Sequence, residues 1–203
     1  MQIVALAKSW RDGGICFAGK DIVTKKWVRP VTASGAIPKD ITQNIRLGDI
    51  VEINITTACP SLHQQENYYF SGNVWNKVGT YSKAQLKLFL DNPSSIWDYP
   101  GSVGADRVLP FDIQKYGISN SLLFISAPDA NIYIDAYNKM RCKFAYKGVN
   151  YDLKITDEEC DQKLSGNQIL DDPYLCISLA GTGWVNQYTG REECFKLIAG
   201  III

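Results

Sequence analysis

The sequence predicts a mostly β protein built as two consecutive small barrels with one or two short helices. Three observations predict it. Short apolar or alternating runs separated by turn residues fill positions 1–80, a helix-period segment breaks that rhythm, and the strand pattern resumes from Ser121. Many short strands divided by turn signals point to a sandwich or barrel.

Residues 2–9 are apolar and strand-like, ending at the Asp12-Gly13-Gly14 turn signal. Residues 15–19 form a second run and 26–29 a third, closed by Pro30, which cannot donate to a sheet ladder. A loop rich in Ser, Gly, Pro and Asn leads to the clearest alternation in the chain. Val51, Ile53 and Ile55 take one face, and Glu52, Asn54 and Thr56 take the other with Ile50. Residues 68–75 supply a fifth strand. Five short strands in this span is the count of a small Greek-key barrel such as the OB-fold.

Ser82 is a helix cap, and Leu86, Phe89 and Leu90 share a face at helical spacing until Asn92-Pro93 stops the helix. The turn-rich stretch after it reads as a connection. In the second half, Leu122 opens an apolar strand, and Ile132, Ile134 and Ala136 alternate with Tyr133, Asp135 and Tyr137. Residues 141–147 turn through a three-residue loop, Gly148-Val149-Asn150, into residues 151–156. Thr156 followed by Asp157, Glu158 and Glu159 reads as a short helix start, and residues 174–180 and 194–203 as the last strands. The expected organisation is a first OB-like barrel over 1–80, a helix and connecting segment over 81–120, and a second OB-like barrel over 121–203.

The 203 residues carry 21 basic and 21 acidic side chains, a net charge of zero, which argues against a chain-wide grip on nucleic acid. A polyanion site would have to be a local patch. The first 80 residues hold nine Lys/Arg against six Asp/Glu, and residues 121–203 hold eight against eleven. No run approaches the roughly 18 apolar residues of a membrane span, and the apolar start is shorter than a secretory signal requires. The six cysteines include no CxxC pair. A cytoplasmic protein with reduced thiols, no cofactor and no membrane association is expected.

Several segments together carry a resemblance: Cys16-Phe-Ala-Gly-Lys20 before Trp27-Val-Arg-Pro30, Gly48-Asp-Ile-Val-Glu52, and His63-Gln-Gln-Glu-Asn67. In the second half they are Arg141-Cys-Lys-Phe144, Tyr151-Asp-Leu-Lys-Ile-Thr-Asp157, Cys176-Ile-Ser-Leu179 and Lys196-Leu-Ile-Ala-Gly-Ile-Ile202. The chain resembles the bacterial dual OB-containing domain family over nearly its whole length. The resemblance implies two OB-like barrels and carries over no catalytic residues. One departure is Gln65, where the family pattern leads one to expect Pro.

His63 is the only histidine, three residues from Glu66, and no second histidine or cysteine pair completes a metal set. Its bland reading is structural, its sharper reading a ligand contact. Trp27 and Arg29 share a strand face, where an arginine fork and an indole ring can hold a phosphate and a base; a core Trp beside a loop-tying Arg is the bland alternative. Lys139, Arg141, Lys143 and Lys147 share one face, with Lys154 on the neighbouring strand and Tyr133 and Tyr137 nearby. A basic strand face with aromatics is how OB-folds hold single strands, though a solvated lysine face also protects sheet edges. Gly181-Thr-Gly183-Trp184 lacks the context of a phosphate loop and reads as a turn. The run Asp157, Glu158, Glu159 and Asp161 reads as a solvated helix face.

The expected function is a binding module for a single-stranded nucleic acid or a nucleotide. A protein-interaction accessory subunit is the second reading. A nucleotide-acting enzyme with His63, Glu66 and Arg29 in one cleft is the third, and no catalytic residue is assigned.

Overall fold

A computed structural model of the chain describes every residue except Asp12, 101–103, Ser165 and 182–183, and omits the Asp161 side chain. Strands β1 (Gln2–Arg11), β2 (Gly14–Asp21), β3 (Trp27–Val31), β4 (Asp49–Ala58) and β5 (Asn67–Thr80) close into a barrel in the order β1-β2-β3-β5-β4. All pairs are antiparallel except β3 with β5. One helical turn, α1 (Lys39–Thr42), lies between β3 and β4. The barrel is a five-stranded OB arrangement. Its interior is filled by Ile3, Ala5, Ile15, Phe17, Val28, Val51, Ile53 and Trp75. The predicted alternation holds on β4, where Val51 and Ile53 are buried and Glu52 and Asn54 exposed.

The chain then forms α2 (Lys83–Leu86), a 3-10 turn over Lys87–Phe89, β6 (Arg107–Val108) and α3 (Pro110–Tyr116). Ser82 caps α2 in a reciprocal capping box with Gln85. The regular helix is shorter than the predicted 82–91, because Asp91 leaves it to serve the sheet: its backbone N–H donates to Phe124 O.

The second sheet runs β11-β8-β9-β10-β13-β12-β7, with β6 pairing β13 from outside that path. Its strands are β7 (Leu122–Ser126), β8 (Ala130–Ile134), β9 (Met140–Tyr146), β10 (Val149–Ile155), β11 (Gln168–Leu170), β12 (Tyr174–Leu179) and β13 (Cys194–Ile202). Three residues separate β7 from β8. Taken as one interrupted first strand, they put β7 on β12 and β8 on β9, and β10 pairs with β13 in parallel. The order then repeats that of the first barrel. The short α4 (Cys160–Lys163) and β11 fill the place that α1 takes between β3 and β4. The two halves thus share a plan that no visible sequence repeat announces.

Two local readings are corrected. The β9–β10 hairpin has two loop residues rather than three: Lys147 and Gly148 both adopt positive φ, and Tyr146 pairs with Val149. That is the primed turn whose twist matches the flanking strands. On β8 the alternation breaks early, since Ile132 is buried and Ile134 is exposed. Asp135 accepts from the backbone N–H groups of Tyr137 and Lys139, which turns the chain before Ala136 can point inward.

The barrels meet face to face. Val4, Leu6, Ala18 and Trp27 of the first pack with Phe124, Tyr174, Cys176 and Ala199 of the second, with Leu86 and Phe89 alongside. Backbones also join: Trp10 N–H donates to Thr156 O at 3.1 Å and Glu158 N–H to Lys8 O at 2.8 Å. At Gly200 of β13 an added Cβ would sit 2.3 Å from Leu6 O of β1, so only glycine permits that approach. Covered on both sides, β1, β12 and β13 read in sequence as near-continuous apolar runs.

Candidate functional site: one covered and one open barrel face

In a five-stranded OB barrel, the outer face of the second and third strands and the flanking loops hold the ligand. In the first barrel those strands are β2 and β3. Their outward residues include Ala18, Lys20, Trp27 and Arg29, and all four are buried against the second barrel. Trp27 is not a platform on which a base can stack. Lys20 Nζ stands 5.0 Å over its ring, and its indole N–H donates to Asp91 Oδ2 at 3.3 Å. Asp91 also pairs with Lys20 at 2.5 Å and accepts from Phe124 N–H, so one carboxylate from the connecting segment ties together β2, β3 and β7.

Arg29, His63 and Glu66 do converge, as a buried network. Arg29 Nη2 lies 3.3 Å from Glu66 Oε1 and donates to Ser121 Oγ at 2.9 Å and Ser178 Oγ at 3.5 Å. Ser121 donates to Glu66 through both its hydroxyl and its backbone N–H. His63 Nε2 is 2.8 Å from Ala180 O, and a carbonyl only accepts, so Nε2 carries the proton. Burial lowers the His63 pKa, and nearby Arg29 adds to the effect while Glu66 and the Ala180 carbonyl oppose it. The ring is therefore neutral, and among the described residues its buried Nδ1 has no hydrogen-bond partner.

The acidic run is a correction: Asp157 and Glu159 are buried rather than solvated, and only 8% of the Glu158 side chain is exposed. Lys8, itself buried, lies 2.9 Å from Glu158, while Lys163 reaches Glu159 at 3.1 Å and Asp157 at 3.5 Å. Burial raises the Asp157 pKa despite Lys163 beside it. Thr182 and Gly183 of the predicted glycine turn lie outside the described residues.

The corresponding strands of the second barrel, β9 and β10, present an open face. As the odd-numbered pattern predicts, Lys143 and Ala145 point outward while Cys142 and Phe144 are buried. A groove of about 660 Å³ runs over this face, lined by Arg141, Lys143, Asn150, Asp152, Asp129 and Asn131 among others. The face is less basic than the sequence alone suggests. Arg141 Nε donates to Asp152 Oδ1 at 2.8 Å and Nη2 to Asp152 O at 2.7 Å, and Tyr133 donates its hydroxyl to Asp152 Oδ2 at 2.6 Å. Lys143 keeps its charge free: among the described residues it has no carboxylate partner, and its ammonium lies 4.6 Å over the Tyr133 ring. Tyr137 is almost fully exposed on the β8–β9 turn, and Lys147 belongs to the hairpin turn rather than to the strand.

The model of the dual OB-containing domain matches residues 1–201. The chain belongs to that family. A comparison with curated proteins finds no match. Membership agrees with the closed five-strand barrel and the second sheet of matching order, and marks this dual OB-containing domain as an OB-fold binding module.

Several residues that complete the sites of the dual OB domain were missed: Asp91, Ser121 and Ser178 carry no motif. Lys8, Lys20 and Lys196 had a readable signal, since Lys196 interrupts an apolar strand run and Lys8 and Lys20 directly follow one. A lysine there needs a buried partner, and Lys196 finds Asp98 at 2.6 Å. Among the described residues no cluster of metal-ligating side chains occurs, and no helix is long and apolar enough to cross a membrane. Four of the six cysteines are buried. Burial pushes the thiols of Cys142 and Cys194 up to about 12 and about 11, which keeps them protonated and unreactive.

Proposed function

We propose that this chain binds a short single strand of nucleic acid, or a nucleotide, on the β8–β10 face of its second barrel. The observation that carries the reading is Lys143, uncompensated and seated over Tyr133 in an open groove where OB-folds take their ligands. An exposed cation over a ring is worth about 0.5–1 kcal/mol, whereas a base stacked on an aromatic ring is worth about 1–3 kcal/mol. A base therefore displaces Lys143 from Tyr133 at a net gain and frees the ammonium for the adjoining phosphate. Lys154, exposed on the neighbouring strand and in register with Arg141, serves a second phosphate. Tyr137 extends the stacking surface from the turn.

With Arg141 neutralised by Asp152, the electrostatic share is small. About two phosphate contacts give a log–log salt slope near −1.4 for a single strand, far shallower than for a protein with a basic face. The test is fluorescence anisotropy with labelled single-stranded and duplex oligonucleotides across a salt series. Single strands are expected to bind more tightly than duplex, with the shallow slope, and Lys143→Ala and Tyr133→Ala each to weaken binding. Absence of binding at low salt, or binding indifferent to both substitutions, removes this reading. In that case a protein partner recovered in stoichiometric amount without nucleic acid would establish the accessory role instead.

A further inference from the structure

The registers of β8, β9 and β10 set the outward side chains of the open face in rows. Tyr133, Arg141 and Lys154 form the first row, and Asn131, Lys143 and Asp152 the second. The same registers, carried one outward residue further, bring Asp129, Ala145 and Asn150 into a third. All of that third row is exposed and lines the groove of about 660 Å³.

The rows differ in chemistry. The first two hold the ring and the cations, and their one carboxylate, Asp152, is engaged by Arg141 and Tyr133. In the third row the Asp129 carboxylate has no hydrogen-bond or ion-pair partner among the described residues, and the side-chain amide of Asn131 beside it has none either. Ala145, the smallest outward side chain of β9, leaves room above the sheet. Successive outward residues on a strand stand about 6.6 Å apart. Asp129 is two such steps from Tyr133, further than one base can span. A bound strand therefore sets one base on Tyr133 and another over Ala145, with Lys143 in the row between them for a phosphate.

An ionised carboxylate only accepts hydrogen bonds, so the base beside Asp129 must offer donors. The pairing edge of guanine carries two adjacent donors, N1–H and the N2 amine, next to the O6 acceptor. Adenine and cytosine each set a ring-nitrogen acceptor beside their one amine, and thymine flanks its one N–H with two carbonyls. Those acceptors face the carboxylate unfavourably, which is discrimination by repulsion. Two parallel N–H donors suit the two oxygens of a carboxylate, and the amide of Asn131, one outward step along the same strand, can donate to O6. Building on the single-strand reading above, we infer that the third row is a guanine subsite, with Asp129 taking N1–H and the N2 amine and Asn131 taking O6. The edge it reads is the one that pairing in a duplex hides, so the subsite itself selects for an unpaired base.

Fluorescence anisotropy with short labelled thymine strands carrying one central guanine, hypoxanthine or adenine tests the assignment. The guanine strand is expected to bind about tenfold tighter than the adenine strand, the share of one bidentate base contact. Hypoxanthine keeps O6 and N1–H but lacks the N2 amine, and should lose about threefold against guanine. Asp129 has a positive φ of 57°, a conformation that asparagine tolerates, so Asp129→Asn keeps the turn and removes only the charge and one acceptor. In that variant the ratio of guanine to hypoxanthine affinity should fall to about one; because it is a ratio, it reads base recognition and not the amount of folded protein. Strands that all bind with equal affinity overturn the guanine subsite and leave the single-strand reading standing, whereas strands that all fail to bind remove both. A guanine preference that survives Asp129→Asn also overturns the assignment.

Discussion

The β2–β3 face of the first barrel and the β9–β10 face of the second hold the same place in their strand orders, yet one is packed and the other is open. On β2–β3 the outward side chains are buried, and each charged one has met a partner from elsewhere in the chain: Asp91 for Lys20, Glu66 for Arg29. On β9–β10 the one ion pair, Arg141 with Asp152, is internal to the face and half in water, and Lys143 is uncompensated. Both surfaces set cationic residues beside an aromatic ring, Lys20 and Arg29 beside Trp27 and Lys143 beside Tyr133 of β8, so residue type does not separate glue from ligand site. What separates them is whether carboxylates and apolar strands from the other half arrive to cover the face. In this family member the first barrel's usual ligand face has become the joint of the molecule, and the second barrel's has been left free.

That contrast is sharpest in the cost of removing a carboxylate from each face. Glu66→Ala leaves Arg29 charged and buried, and breaking one partner of a buried pair costs about 3–5 kcal/mol. Asp152→Ala releases a pair that is partly exposed, for which about 0–1 kcal/mol is expected. Urea unfolding of both variants checks the comparison. Equal losses would mean that the two faces are not differently built after all.

Most of the fold was legible because buried strands impose their own pattern. The runs at residues 2–9, 174–180 and 194–203 are apolar on both faces because both faces are covered, and β4 alternates because one is not. Pairing was not legible. Nothing in Leu122–Ser126 and Ala130–Ile134 shows that they act as one interrupted strand, since that is fixed by two different partners, for β7 about 50 residues away and for β8 about 10. The site divided along the same line. Lys143 and Tyr133 are neighbours through adjacent strands and could be read from spacing, whereas the fate of Trp27 and Arg29 depended on Asp91, Ser121 and Ser178, which nothing local connects to them. The acidic run at 157–159 misled for the same reason, because Lys8 reaches it from a different barrel.

The covered face should also announce itself in pH dependence, where the open face stays silent. His63 is the only histidine, and burial holds its pKa below the ordinary value. The unfolded chain therefore takes up a proton at His63 as pH falls through about 6.5, while the folded chain does not. Stability falls with falling pH in that window, by at most about 1.4 kcal/mol per pH unit for one proton. The raised pKa of Asp157 works in the opposite sense, its contribution being lost as pH rises through the folded value. Unfolding midpoints at several pH values, in the native chain and in His63→Gln, separate the two. The acid-side loss should vanish in the variant, and a loss that persists there would assign the effect to another group.

The smallest expected change in stability is on the open face, and it comes with a gain in binding. Asp152 holds Arg141 by its side chain and by its backbone carbonyl. Asp152→Asn keeps the carbonyl contact and the shape of the side chain, and removes the charge that neutralises the guanidinium. Stability should change by less than about 1 kcal/mol, since the pair is partly solvated. The freed charge makes Arg141 available as a third phosphate contact beside Lys143 and Lys154. Oligonucleotide affinity should rise, and the salt slope should steepen by about 0.7, the share of one phosphate on a single strand. An unchanged slope would mean that the strand does not pass over Arg141, and would move the ligand path to the Tyr137 side of the groove.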